Sequence, residues 1–232
     1  MNDGRRRRAP RIWDTDWIVL RQLAAGIEAQ ARDHVAAGST LVDMGCGAMP
    51  YREMIAGLGV SYIGADVAGD VDILIDAQGK LAMRDGSADA ILSVQVLEHV
   101  RDLDAYCAEI CRLLKPDGTL LLSTHGAWLY HPHPEDHRRW TRTGLEHDLA
   151  IRGLKIQSLE AMVGPLATTT LIRLTGFAYV VRKIPLIGRM LAGGLAVVMN
   201  FRALVEDAIT PAGMRLDNAC VYLVRAHKCI DR

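Results

Sequence analysis

The chain has no charge excess at neutral pH, since 27 Lys and Arg residues balance 27 Asp and Glu. Composition therefore gives no electrostatic reason for a nucleic-acid or acidic macromolecular partner, and no nucleic acid is expected. A glycine-rich phosphate loop ending in Gly-Lys-Ser/Thr occurs nowhere, which removes that class of nucleotide hydrolase. The five cysteines form no Cys-x-x-Cys pair. Cys107 and Cys111 stand four apart on a helical stretch and suit core packing, so a cytoplasmic, reducing setting is the simplest reading. There is no internal repeat and no low-complexity linker. Residues 5–8 are all arginine, but Trp13-Asp14-Thr15-Asp16 follows instead of an apolar secretory segment. A solvated basic tail is the plain expectation for them. At 232 residues the chain suits one sizeable domain, 1–232.

What is present is organised around residues 40–51, TLVDMGCGAMPY. Leu41-Val42 reads as a buried strand. Asp43 follows, then Gly45 and Gly47, and Pro50 suits a first helical turn, where its missing N–H is not needed. A glycine pair after a buried strand permits positive φ and lets a ligand lie against bare backbone. A dinucleotide fingerprint needs a third small residue where Pro50 stands. Asp43, with no lysine beside it, repels phosphate and favours an ammonium or sulfonium ion. That combination points to S-adenosylmethionine. The plainer alternative is a tight strand–helix turn with no ligand.

Along the chain, Trp17, Leu20, Leu23, Ala24, Ile27 and Ala31 have helical spacing. A helix is expected over 50–58. Strands are expected over 61–65, 71–75, 88–94 and 119–123, with a helix running to Leu114 and a turn at Lys115-Pro116-Asp117-Gly118. Short strands alternating with helices imply an α/β, doubly wound, mostly parallel sheet. Ligands of such sheets bind beyond the carboxyl ends of the strands, where Asp43, Asp66, Asp76, Gln95 and Thr124 fall. Asp66 lies nineteen positions after Gly47, a spacing that suits an acid on the ribose hydroxyls.

The ordered blocks VDMGCG, GADV, DGSAD before ILSVQVLEHV, and LLKPDGTLLLST resemble the class I S-adenosylmethionine-dependent methyltransferases, most closely their type 11 subgroup. The resemblance implies a Rossmann-like fold of seven strands whose last strand is antiparallel, a place that residues 219–226 suit. It implies that Gly45 and Gly47 line the methionine part, Asp66 and Val67 meet the ribose, Asp76 and Ala77 flank the adenine, and Gln95 sits beside the sulfonium. It is also similar in length and layout to bacterial enzymes that O-methylate mannosides in polysaccharide synthesis. LEHV further resembles the ubiquinone-type O-methyltransferases. There, Glu98 and His99 would be two of three ligands to a divalent cation such as Mg2+, with Gln95 in place of the third. The alternative is a helix start that holds no metal.

Residues 125–140, HGAWLYHPHPEDHRRW, hold four histidines, two acids, two arginines and three aromatics. Pro132 and Pro134 forbid a helix through them, so this is a loop over the fifth strand's carboxyl end, where function concentrates. An aliphatic hydroxyl must lose its proton to attack a methyl group, and histidine can take it near neutral pH. The loop therefore argues for an alcohol acceptor. His137 is the candidate general base, with Asp136 or Glu135 to orient it. His125, Trp128, Tyr130, His133 and Trp140 are the candidate acceptor contacts, the aromatics offering flat faces that suit sugar rings. Histidines that only bond backbone, and aromatics that only close the loop on the core, are the blander alternatives. His131, His133 and His137 resemble metal spacing but match no zinc pattern.

A helix capped by Thr141 or Thr143 and a strand over 154–162 are expected next. Residues 165–205 then read as an apolar helical insert, too short in its clean run for a transmembrane segment. Lid over the acceptor site, face of a homodimer, or surface lying on lipid remain as roles, with lid or dimer ahead. The expected activity is O-methylation of a sugar or glycan precursor; the partner is a small-molecule or oligosaccharide acceptor. O-methylation of a lipid or quinone-like molecule is the alternative, and a non-catalytic cofactor-binding protein a further one.

Overall fold

A computed structural model describes residues 3–132 and 135–229. Seven strands form one sheet in the order β3-β2-β1-β4-β5-β7-β6. They are β1 (Thr40–Met44), β2 (Ser61–Asp66), β3 (Ile73–Leu74), β4 (Ala88–Val94), β5 (Leu114–His125), β6 (Leu154–Met162) and β7 (Val221–Lys228). β7 is antiparallel to both of its neighbours, and the other pairings are parallel. The expected doubly wound sheet with an antiparallel last strand is what forms. The order reverses between β1 and β4, where ligands of open α/β sheets bind.

Both faces are covered, so the central strands carry near-continuous apolar runs. On one face α2 (Trp17–His34) lays Leu23, Ile27 and Ala31 against Leu41, Leu92, Leu121 and Leu223. Full burial of a Leu or Ile side chain is worth roughly 1.5–3 kcal/mol, so a charge at Ile27 would undo this packing. The other face holds α4 (Leu103–Leu113) and α5 (Arg142–Ala150) against Ile91, Leu120, Leu122 and Val224. Asp102 caps α4 by accepting from Ala105 N–H at 2.9 Å. Of the two candidate caps, Thr141 serves α5 by accepting from Gly144 N–H at 3.1 Å.

Several boundaries differ from expectation. α3 (Arg52–Ala56) starts after Pro50, because Met49 takes a left-handed φ of 51° and Tyr51 is drawn into the core. The stretch after β4 is a single 3-10 turn, Leu97–His99, separate from α4. Lys115–Gly118 is a bulge within β5: Leu114 pairs with Ala88 and Thr119 with Ala90.

The basic run is not a solvated tail. Asp3–Arg8 folds as α1, held by ion pairs of Arg6 with Asp14 and Asp16 and of Arg8 with Glu53. The partners lie in the next loop and in α3, so no local pattern announces the helix.

The insert is a helical hairpin, α6 (Pro165–Val181) and α7 (Gly188–Ile209), followed by α8 (Ala212–Asp217). α7 has 22 residues and is long and apolar enough by composition to cross a membrane, contrary to the shorter span read from sequence. Its inner face, Ala192, Ala196, Asn200, Ala203 and Asp207, is nonetheless packed on the domain. Asn200 donates to the carbonyls of Ile12 and Asp14, and Asp207 accepts from Gly164 N–H at 2.7 Å. α7 is thus a helix of this fold, with its other face outward.

Candidate functional site

A cavity of about 220 Å3 opens at the carboxyl ends of β1, β2 and β4, lined by Gly45, Cys46, Gly47, Asp66, Gln95, His99 and His131, with Gly4 and Arg7 of α1 across from them. Gly45 has φ 80°, and a Cβ there would lie 2.5 Å from Val96 Cγ2. Both conformation and space therefore require glycine. Gly47 has φ 53° and nothing within 4 Å of an added Cβ, so its backbone faces open cavity. Gly47 N–H donates to Asp66 Oδ2 at 2.8 Å, and Val67 N–H to Oδ1 at 2.7 Å. These bonds fix the acid at the rim. Gln95, also left-handed at φ 53°, donates its N–H to Ser123 O at 2.9 Å. A bulky residue in that conformation costs energy and marks a position held by its surroundings.

Asp43 does not line the cavity. It is 2% exposed beneath it and accepts from Tyr62 Oη. Burial pushes it from its ordinary 3.8 up to about 7, against the opposing Tyr62 hydrogen bond and Arg7 charge. Its action on a ligand is thus through its field. Burial, followed by the charges of Asp43 and Asp66, pushes the Cys46 thiol up to about 12, so it is no thiolate nucleophile at neutral pH.

Behind Gln95 lies a buried pair. Glu98 Oε1 and His125 Nε2 are 3.3 Å apart. Thr124 Oγ1 donates to Glu98 Oε2 at 2.9 Å. The separation would suit an ion pair, but burial pushes the Glu98 carboxyl up and the His125 imidazole down to about 3, so His125 carries no charge at physiological pH. Trp128 stacks on His125 with ring centroids 6.2 Å apart. His125 and Trp128 therefore sit together under the loop, with His131 packed edge-on to His125 at 6.3 Å.

The loop is shaped by one clip. Arg139 grips the Asp136 carboxylate, at 2.6 Å to Oδ2, and donates to the carbonyls of Trp128 and Leu129. Asp136 also accepts from His131 N–H, and the Arg139 hydrogen bond holds its carboxyl down at about 2. Asp136 therefore cannot orient His137. The imidazole of His137 lies 3.1 Å from Glu135, which Arg101 grips from its other side. His137 is absent from the cavity lining; the expected general base faces outward. Among the described residues, the imidazoles that line the cavity are His99 and His131. His99 Nδ1 bonds the Glu135 carbonyl, and because a carbonyl only accepts, Nδ1 carries the proton and Nε2 the free lone pair. The sequence marks His131 only through its metal-like spacing, because its direction is set by the Asp136–Arg139 clip, and it gives no sign of Arg7, because α1 has no local signature.

Trp140 is 6% exposed, and its Nε1–H donates to Asp148 on α5 at 2.9 Å. It belongs to the core and cannot present a face to an acceptor. Tyr130 is 75% exposed. Asp76 accepts from Gln78 and Lys80 N–H at 2.9 and 2.8 Å, shaping its own turn, and with Ala77 it lies outside the cavity lining. His133 lies outside the described residues.

The metal reading fails on geometry. Glu98 turns inward to Thr124 and His125, and the Gln95 amide lies 3.4 Å from His125. Among the described residues no group of three or more His, Cys, Asp or Glu is disposed to hold a metal ion. These residues do not fit Mg2+.

Residues 17–161 match a family model described as a methyltransferase domain. The ubiquinone biosynthesis O-methyltransferase of Xanthomonas oryzae pv. oryzae (strain PXO99A) is 35% identical over 104 residues, 38% of this chain and 44% of that protein. The protein of that name from Xanthomonas campestris pv. campestris (strain B100) is 34% identical over 137 residues, covering 50% and 56%. The chain thus spans about half the length of the curated relatives it matches. Among solved structures, a [4+2]-cyclase superposes at TM-score 0.59, with 18% identity over 91% of this chain and 83% of that one. Burkholderia thailandensis 1,6-didemethyltoxoflavin-N1-methyltransferase, solved with S-adenosylhomocysteine, gives TM-score 0.56, with 13% identity over 88% and 77%. At those identities the likeness is one of fold.

Proposed function

The chain belongs to the methyltransferase-domain family, and we propose on that premise that it moves a methyl group from S-adenosylmethionine to a hydroxyl of a quinone-like or other apolar small molecule. The observation that carries the reading is the cavity itself: bare glycine backbone at Gly45 and Gly47, Asp66 fixed at the rim and Gln95 at the β4 end meet in one hollow. Asp66 would take the ribose hydroxyls. The donor's methionine end is a zwitterion; the field of Asp43, which is ionised above about pH 7, favours its ammonium, and Arg7 answers its carboxylate.

The transfer is an in-line displacement. The acceptor oxygen forms the new C–O bond as the C–S bond breaks, and the sulfonium leaves as neutral S-adenosylhomocysteine. Holding the two reactants in contact supplies much of the rate. The hydroxyl proton goes to His99 Nε2, the cavity imidazole whose tautomer is fixed by the Glu135 carbonyl. A phenolic hydroxyl needs less help from such a base than an aliphatic one.

The sugar acceptor is the weaker reading, because Trp140, one of its three aromatic faces, is buried in the core. The activity for which the relatives are named favours a quinone precursor. The test is calorimetry with S-adenosylhomocysteine, followed by methyl-transfer assays on a catechol series and on simple glycosides. Donor binding with transfer to the catechols is expected. Absence of any donor binding would refute the whole reading; transfer to glycosides alone would restore the carbohydrate acceptor.

A further inference from the structure

The outer surface of the α6–α7 hairpin is unlike the rest of the molecule. Residues 161–205 contain no Asp or Glu but hold Arg173, Arg182, Lys183, Arg189 and Arg202, in a chain whose total charge is zero. Among the described residues, Arg202 pairs with Glu206 at 2.7 Å, whereas no carboxylate pairs with Arg182, Lys183 or Arg189. Along α7 the solvent side is an apolar stripe, Met190, Val198, Phe201, Val205 and Ile209, all exposed. Its inner side is already used by the domain.

The connection between the helices is tight and exposed. Ile187 N–H donates to Pro185 O at 2.7 Å, closing a three-residue turn centred on Leu186 with φ 65°. Such a turn is rare and strained. It leaves Leu186 104% exposed, beside exposed Ile184 and Ile187. Exposed Arg182 and Lys183 precede this apolar tip in the chain and exposed Arg189 follows it, with Lys183 Nζ over the Tyr179 ring at 4.5 Å. An apolar point flanked by cations and lacking acids has the chemistry of a headgroup–acyl boundary.

We propose that the α6–α7 hairpin docks the protein on an anionic lipid bilayer, with Leu186 and the outward stripe of α7 entering the interface and Arg182, Lys183 and Arg189 meeting the headgroups. A second copy of the chain fits less well. An isologous dimer places a patch on its own image, so here cations would face cations with no carboxylate between them. Spanning is also disfavoured, because Asn200 and Asp207 tie the inner face of α7 to the domain. The surface stands independently of the methyl-transfer reading.

The test is cosedimentation of the full chain with vesicles of phosphatidylglycerol and phosphatidylcholine, against phosphatidylcholine alone. Binding to the anionic vesicles that weakens with salt is expected. One basic residue near an anionic surface is worth about 1 kcal/mol, or roughly five-fold. The triple variant Arg182→Ala, Lys183→Ala, Arg189→Ala should therefore lower partitioning by about 100-fold. Leu186→Glu with Met190→Glu should abolish it. These side chains are exposed, and an unchanged thermal unfolding curve confirms that each variant folds. Equal binding to neutral and anionic vesicles, no binding by the wild type, or full binding by both variants would overturn the proposal. A wild-type dimer in light scattering that Leu186→Glu converts to monomer would overturn it in favour of self-association.

Discussion

Gly45 and Gly47 look interchangeable in the sequence, yet alanine at the two positions should have separable effects. At Gly45 a methyl group meets two costs. The left-handed φ of 80° penalises an L side chain by about 1–2 kcal/mol. The new Cβ would also lie 2.5 and 2.9 Å from the two methyls of Val96, a β-branched and stiff side chain. Overpacking of that kind typically costs about 1–3 kcal/mol. Gly45→Ala should thus destabilise the ligand-free protein by about 2–5 kcal/mol in urea unfolding. Adding Val96→Ala should recover the packing part and leave the backbone part. Gly47→Ala meets only the backbone cost, about 1–2 kcal/mol, because nothing lies within 4 Å of the new methyl. That methyl instead enters the cavity, so S-adenosylhomocysteine affinity by calorimetry should fall at least about tenfold, the effect of a 1.4 kcal/mol clash. Equal destabilisation by the two alanines, or no rescue by Val96→Ala, would refute the packing argument. Undiminished binding to Gly47→Ala would show that the donor does not lie against that backbone.

Three further outcomes are expected. Arg7→Ala should weaken S-adenosylhomocysteine binding by about 10–100-fold, the worth of a hydrogen bond to a charged group, while 5′-methylthioadenosine, which has no carboxylate, binds as before; equal losses for both ligands would refute a direct contact. His99→Ala should lower kcat by about 10²–10⁴-fold at unchanged donor affinity, as for loss of a general base, and His137→Ala should stay within a few-fold; the reverse order would restore His137. Because the folded-state pKa of Asp43 is raised to about 7, the folded protein holds a proton between about pH 4 and 7 that the unfolded chain has released, so stability falls as pH rises through that window, by an amount on the order of 4 kcal/mol. Asp43→Asn should flatten this dependence in urea titrations at a series of pH values, and an unchanged slope would show that Asp43 is not its source.

The framework of the site was legible because it is written locally. The strand and glycine pair within 40–51 and the helical face of α2 follow from spacing and turn chemistry and take their expected places, and of the two candidate caps of α5 it is Thr141 that serves. Side-chain directions in 126–141 were not legible. They depend on Arg139 gathering Asp136 and distant carbonyls, a choice the sequence leaves open among several arginines and acids. The same reason hid α1, whose arginines find partners in a later loop and in α3. The direction of Trp140 was not legible because aromatic residues next to a polar loop can turn either way, and Asp148, near the end of α5, holds this one inward.

β6 pairs with β7 alone, and β7 alone joins it to β5. The strand that arrives last in the chain is therefore a wedge inside the sheet, not a finishing edge. A nascent or clipped chain ending before Val221 would present two raw borders, those of β5 and β6, each with unpaired amides and carbonyls and ready to recruit strands from other molecules. Loss of the chain from Val221 onward should therefore show itself first as clumping during synthesis, before any loss of methyl transfer could be measured.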